Sequence, residues 1–177
     1  MDEAFESALK YGEEGEHHVA SWLMRSGAVV APLYQFVSHD RAPVLLHSVD
    51  GRELSRVLPD LTCWDRRHMF FAEVKRKRRW VGPYRSRPRE TGFNLSLWRD
   101  YLAVAALTGV PIWFFFLHED AQPTGVFCGE LAALAPYVRE WDGCVDTTGR
   151  ATGSPPLALF PESRLLRVAD LADVVTG

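Results

Sequence analysis

The run Pro111-Ile112-Trp113-Phe114-Phe115-Phe116-Leu117 is almost unbroken in its hydrophobicity. It is too short to cross a membrane and too uniformly apolar for a strand with one wet face, so it reads as a central strand covered on both sides. Such a strand requires a sheet with a packed layer on each face. Helical periodicity precedes it from Leu95 to Thr108, through Trp98, Tyr101, Leu102 and Ala105, and Gly109 ends that helix. Thr108, Gly109 and Pro111 also break the apolar stretch before it reaches spanning length, so no membrane segment is expected.

Other segments supply the layers. Residues from about Glu3 to Ser26 read as a helix, with Ala8, Gly12, Val19 and Leu23 near the helical period and Gly27 placed as a stop. Ala28 to Phe36 is rich in strand formers, and Pro43 to Val49 and Leu54 to Leu58 flank an Asp50-Gly51 hairpin turn. The clearest hairpin is Leu61 to Trp64, the polar break Asp65-Arg66-Arg67, and His68 to Val74. Pro83, Pro88 and Gly92 mark a loop. Further on, Val126 to Cys128 is expected as an edge strand, Glu130 to Tyr137 as a short helix, Leu157 to Phe160 as the last strand and Ala169 to Val175 as a terminal helix. Gly143 to Pro156 reads as a loop. The expectation is a single α/β domain over residues 1–177, a mixed central sheet flanked by helices, with 1–120 the core and 121–177 a C-terminal elaboration. A chain of 177 residues, 47% hydrophobic and 24% charged, has the material for such a core.

The formal net charge of −3 conceals an uneven distribution. Half of the 20 Lys and Arg residues fall between Arg66 and Arg89, which leaves the remainder acidic. One basic face on an acidic molecule suits a polyanionic partner, the plainer reading being a solvated charged loop. Within the stretch Arg76, Lys77, Arg78, Arg79 and Arg85 are candidate phosphate contacts. Trp80, between those bases and Tyr84, is a candidate for stacking on a nucleobase, whereas Trp64, Trp98 and Trp113 read as core. The cysteines Cys63, Cys128 and Cys144 form neither an even set nor a Cys-x-x-Cys pair, so no disulfide framework or zinc knuckle is indicated and a reducing cytoplasm is expected. The acidic opening MDEAFESALK is unlike a secretory leader.

The chemistry concentrates in Leu58-Pro59-Asp60-Leu61 and Phe71-Ala72-Glu73-Val74-Lys75. Alternation sends Phe70, Ala72 and Val74 to one side of the strand and Glu73 and Lys75 to the other. Antiparallel pairing across the Asp65–Arg67 turn brings Asp60 beside Glu73. Two such carboxylates repel unless a cation lies between them, and oxygen-only ligands favour a hard ion such as magnesium. A Pro-Asp pair or a Glu-x-Lys triplet alone is commonplace and more often marks a turn or an exposed strand face. Their order, the hairpin between them and the bases downstream set this pair apart. So does Glu16, four residues after Gly12 and three before Val19, a carboxylate on an apolar stripe that needs a partner or a metal. His17 and His18, adjacent on a helix, point apart and read as rim residues.

Pro59-Asp60 followed by Glu73-Val74-Lys75 resembles the core motif of the PD-(D/E)XK nuclease superfamily. Gly12-Glu13-Glu14-Gly15-Glu16 leading to Val19 and Leu23 is similar to the helix that supplies an extra acid in branches such as the archaeal Holliday-junction resolvases. The resemblance spans about Gly12 to Leu117 and implies a restriction-endonuclease-like fold with an αβββαβ core. It also implies metal-dependent hydrolysis of phosphodiester bonds in nucleic acid, with DNA the expected substrate, by direct attack of water. Asp60, Glu73 and the Val74 backbone carbonyl are the implied ligands of Mg2+, with Mn2+ as a substitute. Glu16 is implied to complete or extend that site, and Lys75 to hold or polarise the water. A homodimer is compatible with the resemblance. The Gln that exonuclease-type branches carry on the following helix has no counterpart, since Trp98, Asp100 and Tyr101 occupy it. The alternative is a non-catalytic nucleic-acid-binding module on the same fold, against which the clustered, phosphate-repelling acids argue.

Overall fold

A computed structural model of the chain describes residues 3–33, 44–47, 51, 53–66, 68–82, 88–120, 122–142 and 155–175. Tyr34 to Phe36, Asp50, Arg85 and residues 143–154 lie outside the described residues. The long helix α1 (Glu3–Arg25) turns through Gly27, at φ 93°, into β1 (Val29–Pro32). β2 (Val44–His47) and β3 (Glu53–Arg56) pair with each other in a separate two-stranded sheet. β4 (Leu61–Trp64) and β5 (Met69–Lys77) form the expected hairpin, Leu61 opposite Ala72 and Cys63 opposite Phe70. Asp65 Oδ1 accepts the His68 N–H at 2.7 Å and closes its turn.

β6 (Glu90–Asn94) runs into α2 (Leu95–Thr108), which ends on Gly109 in the left-handed region at φ 68° with its N–H on the Ala105 carbonyl. β7 (Ile112–His118) then enters the sheet parallel to β5, Glu73 opposite Phe114 and Lys77 opposite His118. After it come β8 (Gly125–Glu130), the single turn α3 (Leu131–Leu134), β9 (Arg139–Trp141), β10 (Leu157–Pro161), β11 (Leu166–Ala169) and α4 (Leu171–Val175). The central sheet has the order β1-β4-β5-β7-β8-β11, and β6-β10-β9 form a second sheet.

Both faces of β7 are covered, as its unbroken apolar run requires. Val19 and Leu23 of α1, with Val174 of α4, pack on Ala72, Val74, Phe115 and Leu117. The opposite face is an aromatic layer in which Phe93, Trp98, Tyr101, Phe114, Phe116 and Phe160 meet. Each fully buried side chain of this size stabilises by about 1.5–3 kcal/mol over leaving it exposed.

Several expectations are corrected. Gly92 marks no loop: it lies within β6, where an added Cβ would overlap the Ala158 carbonyl of β10, so glycine lets two strands approach. β8 is an interior strand because β11 pairs outside it, Leu166 opposite Cys128. Leu157 to Phe160 is therefore not the last strand, and residues beyond 120 build into both large sheets. The buried stripe of α1 keeps the expected Val19 and Leu23, but continues through Gly15 and not Glu16, which is half-buried on its flank.

Candidate active site

The hairpin positions the two central acids. Since Leu61 faces Ala72, Asp60 arrives beside Glu73, and the two are 3% and 0% exposed. Asp60 Oδ2 accepts the Val74 N–H at 2.7 Å, and the Asp60 carbonyl accepts the Leu33 N–H at 2.9 Å, so side chain and backbone are both fixed. Lys75, two residues beyond Glu73 on the same strand face, forms an ion pair with Glu73 Oε1. The structure thus brings together Asp60, Glu73 and Lys75. It does not gather Glu16 with them into one ligand set: among the described residues no three His, Cys, Asp or Glu side chains are grouped to hold one ion.

Arg76, read from the sequence as a phosphate contact, is occupied within the protein. Its Nη1 donates to Glu14 Oε2 at 2.7 Å and its Nε to Glu119 Oε1 at 2.5 Å, while its guanidinium lies 4.0 Å over the Tyr11 ring. Tyr11 donates to Glu119 Oε2 at 2.9 Å. This network ties α1 to the ends of β5 and β7. Gly15 lets the two elements approach there, since a Cβ would come to a tight 3.0 Å from the Arg76 Cβ. Arg78 and Arg79 are exposed, and Lys77 is half-buried.

Trp80 is no stacking platform for a nucleobase. Its ring lies parallel to His118 at 3.7 Å between centroids, edge-on to Phe127, and its Nε1 donates to the Pro123 carbonyl at 3.1 Å. His118 went unnoticed in the sequence. It is 0% exposed, its Nε2 lies 3.1 Å from Thr91 Oγ1, and burial with the nearby Lys77 charge pushes its pKa down to about 4. The one available signal was its place at the end of the central strand, two residues after Phe116 on the same face. Desolvation, then the Lys75 charge, lowers Lys77 to about 8. Burial pushes the Cys63 thiol up to about 12 and that of Cys128 to about 11, so neither is a nucleophile near neutrality.

Two buried carboxyl groups, Asp60 just before β4 and Glu73 on β5, present hard oxygen donors beside the Lys75 ammonium. That donor set fits a divalent cation such as Mg2+.

The element order and the mixed sheet with helices against it form a restriction-endonuclease-like fold. Among solved structures, the fold is similar to that of Hjc, a Holliday junction resolvase from the archaeal hyperthermophile Archaeoglobus fulgidus, with a TM-score of 0.50 and 11% identity over 86% of this chain and 90% of that one. No protein-family model and no curated protein sequence matches the chain. Among the described residues no helix is long and apolar enough to cross a membrane.

Proposed function

We propose that the chain is a nuclease that hydrolyses phosphodiester bonds in DNA with a divalent cation. The observation that carries this is the meeting of Asp60, Glu73 and Lys75 on the central hairpin, two buried carboxylates and an ammonium at one point of a restriction-endonuclease-like sheet. Asp60, Glu73 and the Val74 carbonyl would hold Mg2+ or Mn2+, which when bound polarises a phosphate oxygen and activates water. The protein's own groups do the rest. The Val74 N–H aims the Asp60 carboxylate. Lys75, a compact ammonium with three donors, turns from Glu73 to the attacking water and a phosphate oxygen. Arg78 and Arg79 take flanking phosphates. Glu16 is about 200° around α1 from Glu14, on the flank away from the Arg76 network, and serves the site from there.

The test is incubation with linear, single-stranded and four-way-junction DNA, and with RNA, in Mg2+ and in chelator. Cleavage of DNA that requires Mg2+ is expected. Asp60→Asn and Glu73→Gln should each lower it by at least roughly a hundredfold in a protein that still folds. Glu16→Gln should also cut poorly without loss of melting temperature; normal cutting would leave a three-residue site. One observation favours a second reading, a DNA-binding module without catalysis: among the described residues no third acid is grouped with Asp60 and Glu73. Binding without metal-dependent cleavage would establish it.

A further inference from the structure

Three successive bases on β5 have different surroundings. Lys75 is paired with Glu73, and Arg76 with Glu14 and Glu119. Lys77 is half-buried, yet among the described residues its side chain makes no ion pair or hydrogen bond. A cation partly withdrawn from water without a direct ion-pair partner is costly, and the cost is relieved when an anion arrives. Alternation puts Lys77 on the same face as Glu73 and Lys75, about 6.6 Å beyond Lys75 along the strand. The wall beside it is closely packed. His118 stands opposite Lys77 in the β5–β7 register, buried, stacked on Trp80 and bonded to Thr91. That imidazole is neutral near pH 7, so it neither competes for an anion nor supplies one.

We propose that Lys77 is a catalytic residue, the acid that protonates the leaving oxygen of a phosphodiester held between it and Lys75. This rests on the nuclease reading given above. Water bonds to phosphorus through its oxygen and releases a proton to solvent. The bond from phosphorus to the leaving bridging oxygen breaks, with its electron pair remaining on that oxygen. The oxygen takes a proton from the Lys77 ammonium and becomes a hydroxyl, and the neutral amine recovers a proton from solvent. Around Lys77, Lys75 favours proton release and Glu73 opposes it, while the facing His118 is uncharged. Burial, the largest influence, brings Lys77 to about 8, so the ammonium predominates at neutral pH and is a stronger acid than a solvated lysine.

The experiment uses the DNA that the wild-type protein cuts, with the bridging oxygen that leaves, identified from the product ends, replaced by sulfur. A thiolate leaves without needing a proton. Lys77→Met should slow cleavage of all-oxygen DNA by roughly 10²–10⁴-fold, bind that DNA within about threefold of wild type, and cut the sulfur-linked DNA within about tenfold of the wild-type rate. Lys77→Arg keeps the charge but holds its proton, and should show the same split between substrates. Both variants should melt no lower than wild type, Met because it removes a half-buried charge that has no direct partner. If either folded variant slows the two substrates equally, or slows neither, the acid role is overturned while the nuclease reading stands. Wild-type protein that cuts no DNA removes both readings together.

Discussion

His118 is buried without charge, and this makes the fold sensitive to acid over a defined range. Its pKa is lowered from the ordinary 6.5 to about 4 in the folded protein, by burial first and the Lys77 charge second. Above pH 6.5 the folded and unfolded chains both carry a neutral ring, and the contribution to stability is fully present. Below 6.5 the unfolded chain takes up a proton that the native ring refuses, so stability falls until about pH 4 and then levels off. The shift corresponds to a loss on the order of 3 kcal/mol. His118→Phe keeps a ring against Trp80 and removes the titration. Melting temperature followed from pH 7 to 4.5 should fall less steeply in the variant; an equal fall would assign the acid response to other groups. The same residue shows why part of the site was hidden. Asp60, Glu73 and Lys75 were legible because alternation and a short turn determine their neighbours. Trp80 looks like a platform in the sequence because the ring that covers it comes from a strand 38 residues later.

At the scale of elements, two glycines should respond in opposite senses. Gly92 sits where β6 meets β10, and a methyl group there must push the Ala158 carbonyl aside. Gly92→Ala is expected to cost about 1–3 kcal/mol as overpacking. Gly12 lies within α1 with nothing near its Cβ position, so Gly12→Ala should stabilise by about 0.5–1 kcal/mol through helix propensity. Urea midpoints would check both, and a neutral Gly92→Ala would mean that the strands are not so close. These elements also mark the limit of what could be read in advance. β5 and α2 were legible since each is long enough for its period to repeat, and β7 because its apolar run is unbroken. β6 is five residues with glycine at its centre, and its strand character comes from β10, more than 60 residues away. On α1 the expectation holds at Val19 and Leu23 and fails at Glu16, because Gly15 owes its burial to Arg76 on another element.

Over the whole molecule, the basic stretch is smaller in effect than in count, because Arg76 is neutralised by Glu14 and Glu119. Arg78 and Arg79 remain exposed to a polyanion. Replacing both by Ala should lower the salt slope of DNA binding by about two units, each phosphate contact contributing about 0.9. An unchanged slope would place the DNA on another face. The strand order carries a different consequence, one of timing. β4 and β5 are joined by a short turn and can pair in microseconds, whereas β5 and β7 run parallel and meet only after β6 and α2 have been laid between them. Closing that long connection makes the central pairing a late event in folding. Asp60 and Glu73 therefore come together early, with the hairpin, while His118 reaches Lys77 only at the end. A chain halted between these two stages leaves the β7 side of β5 unpaired, and the strand that carries Glu73 and Lys75 becomes an open template for the same strand of another copy.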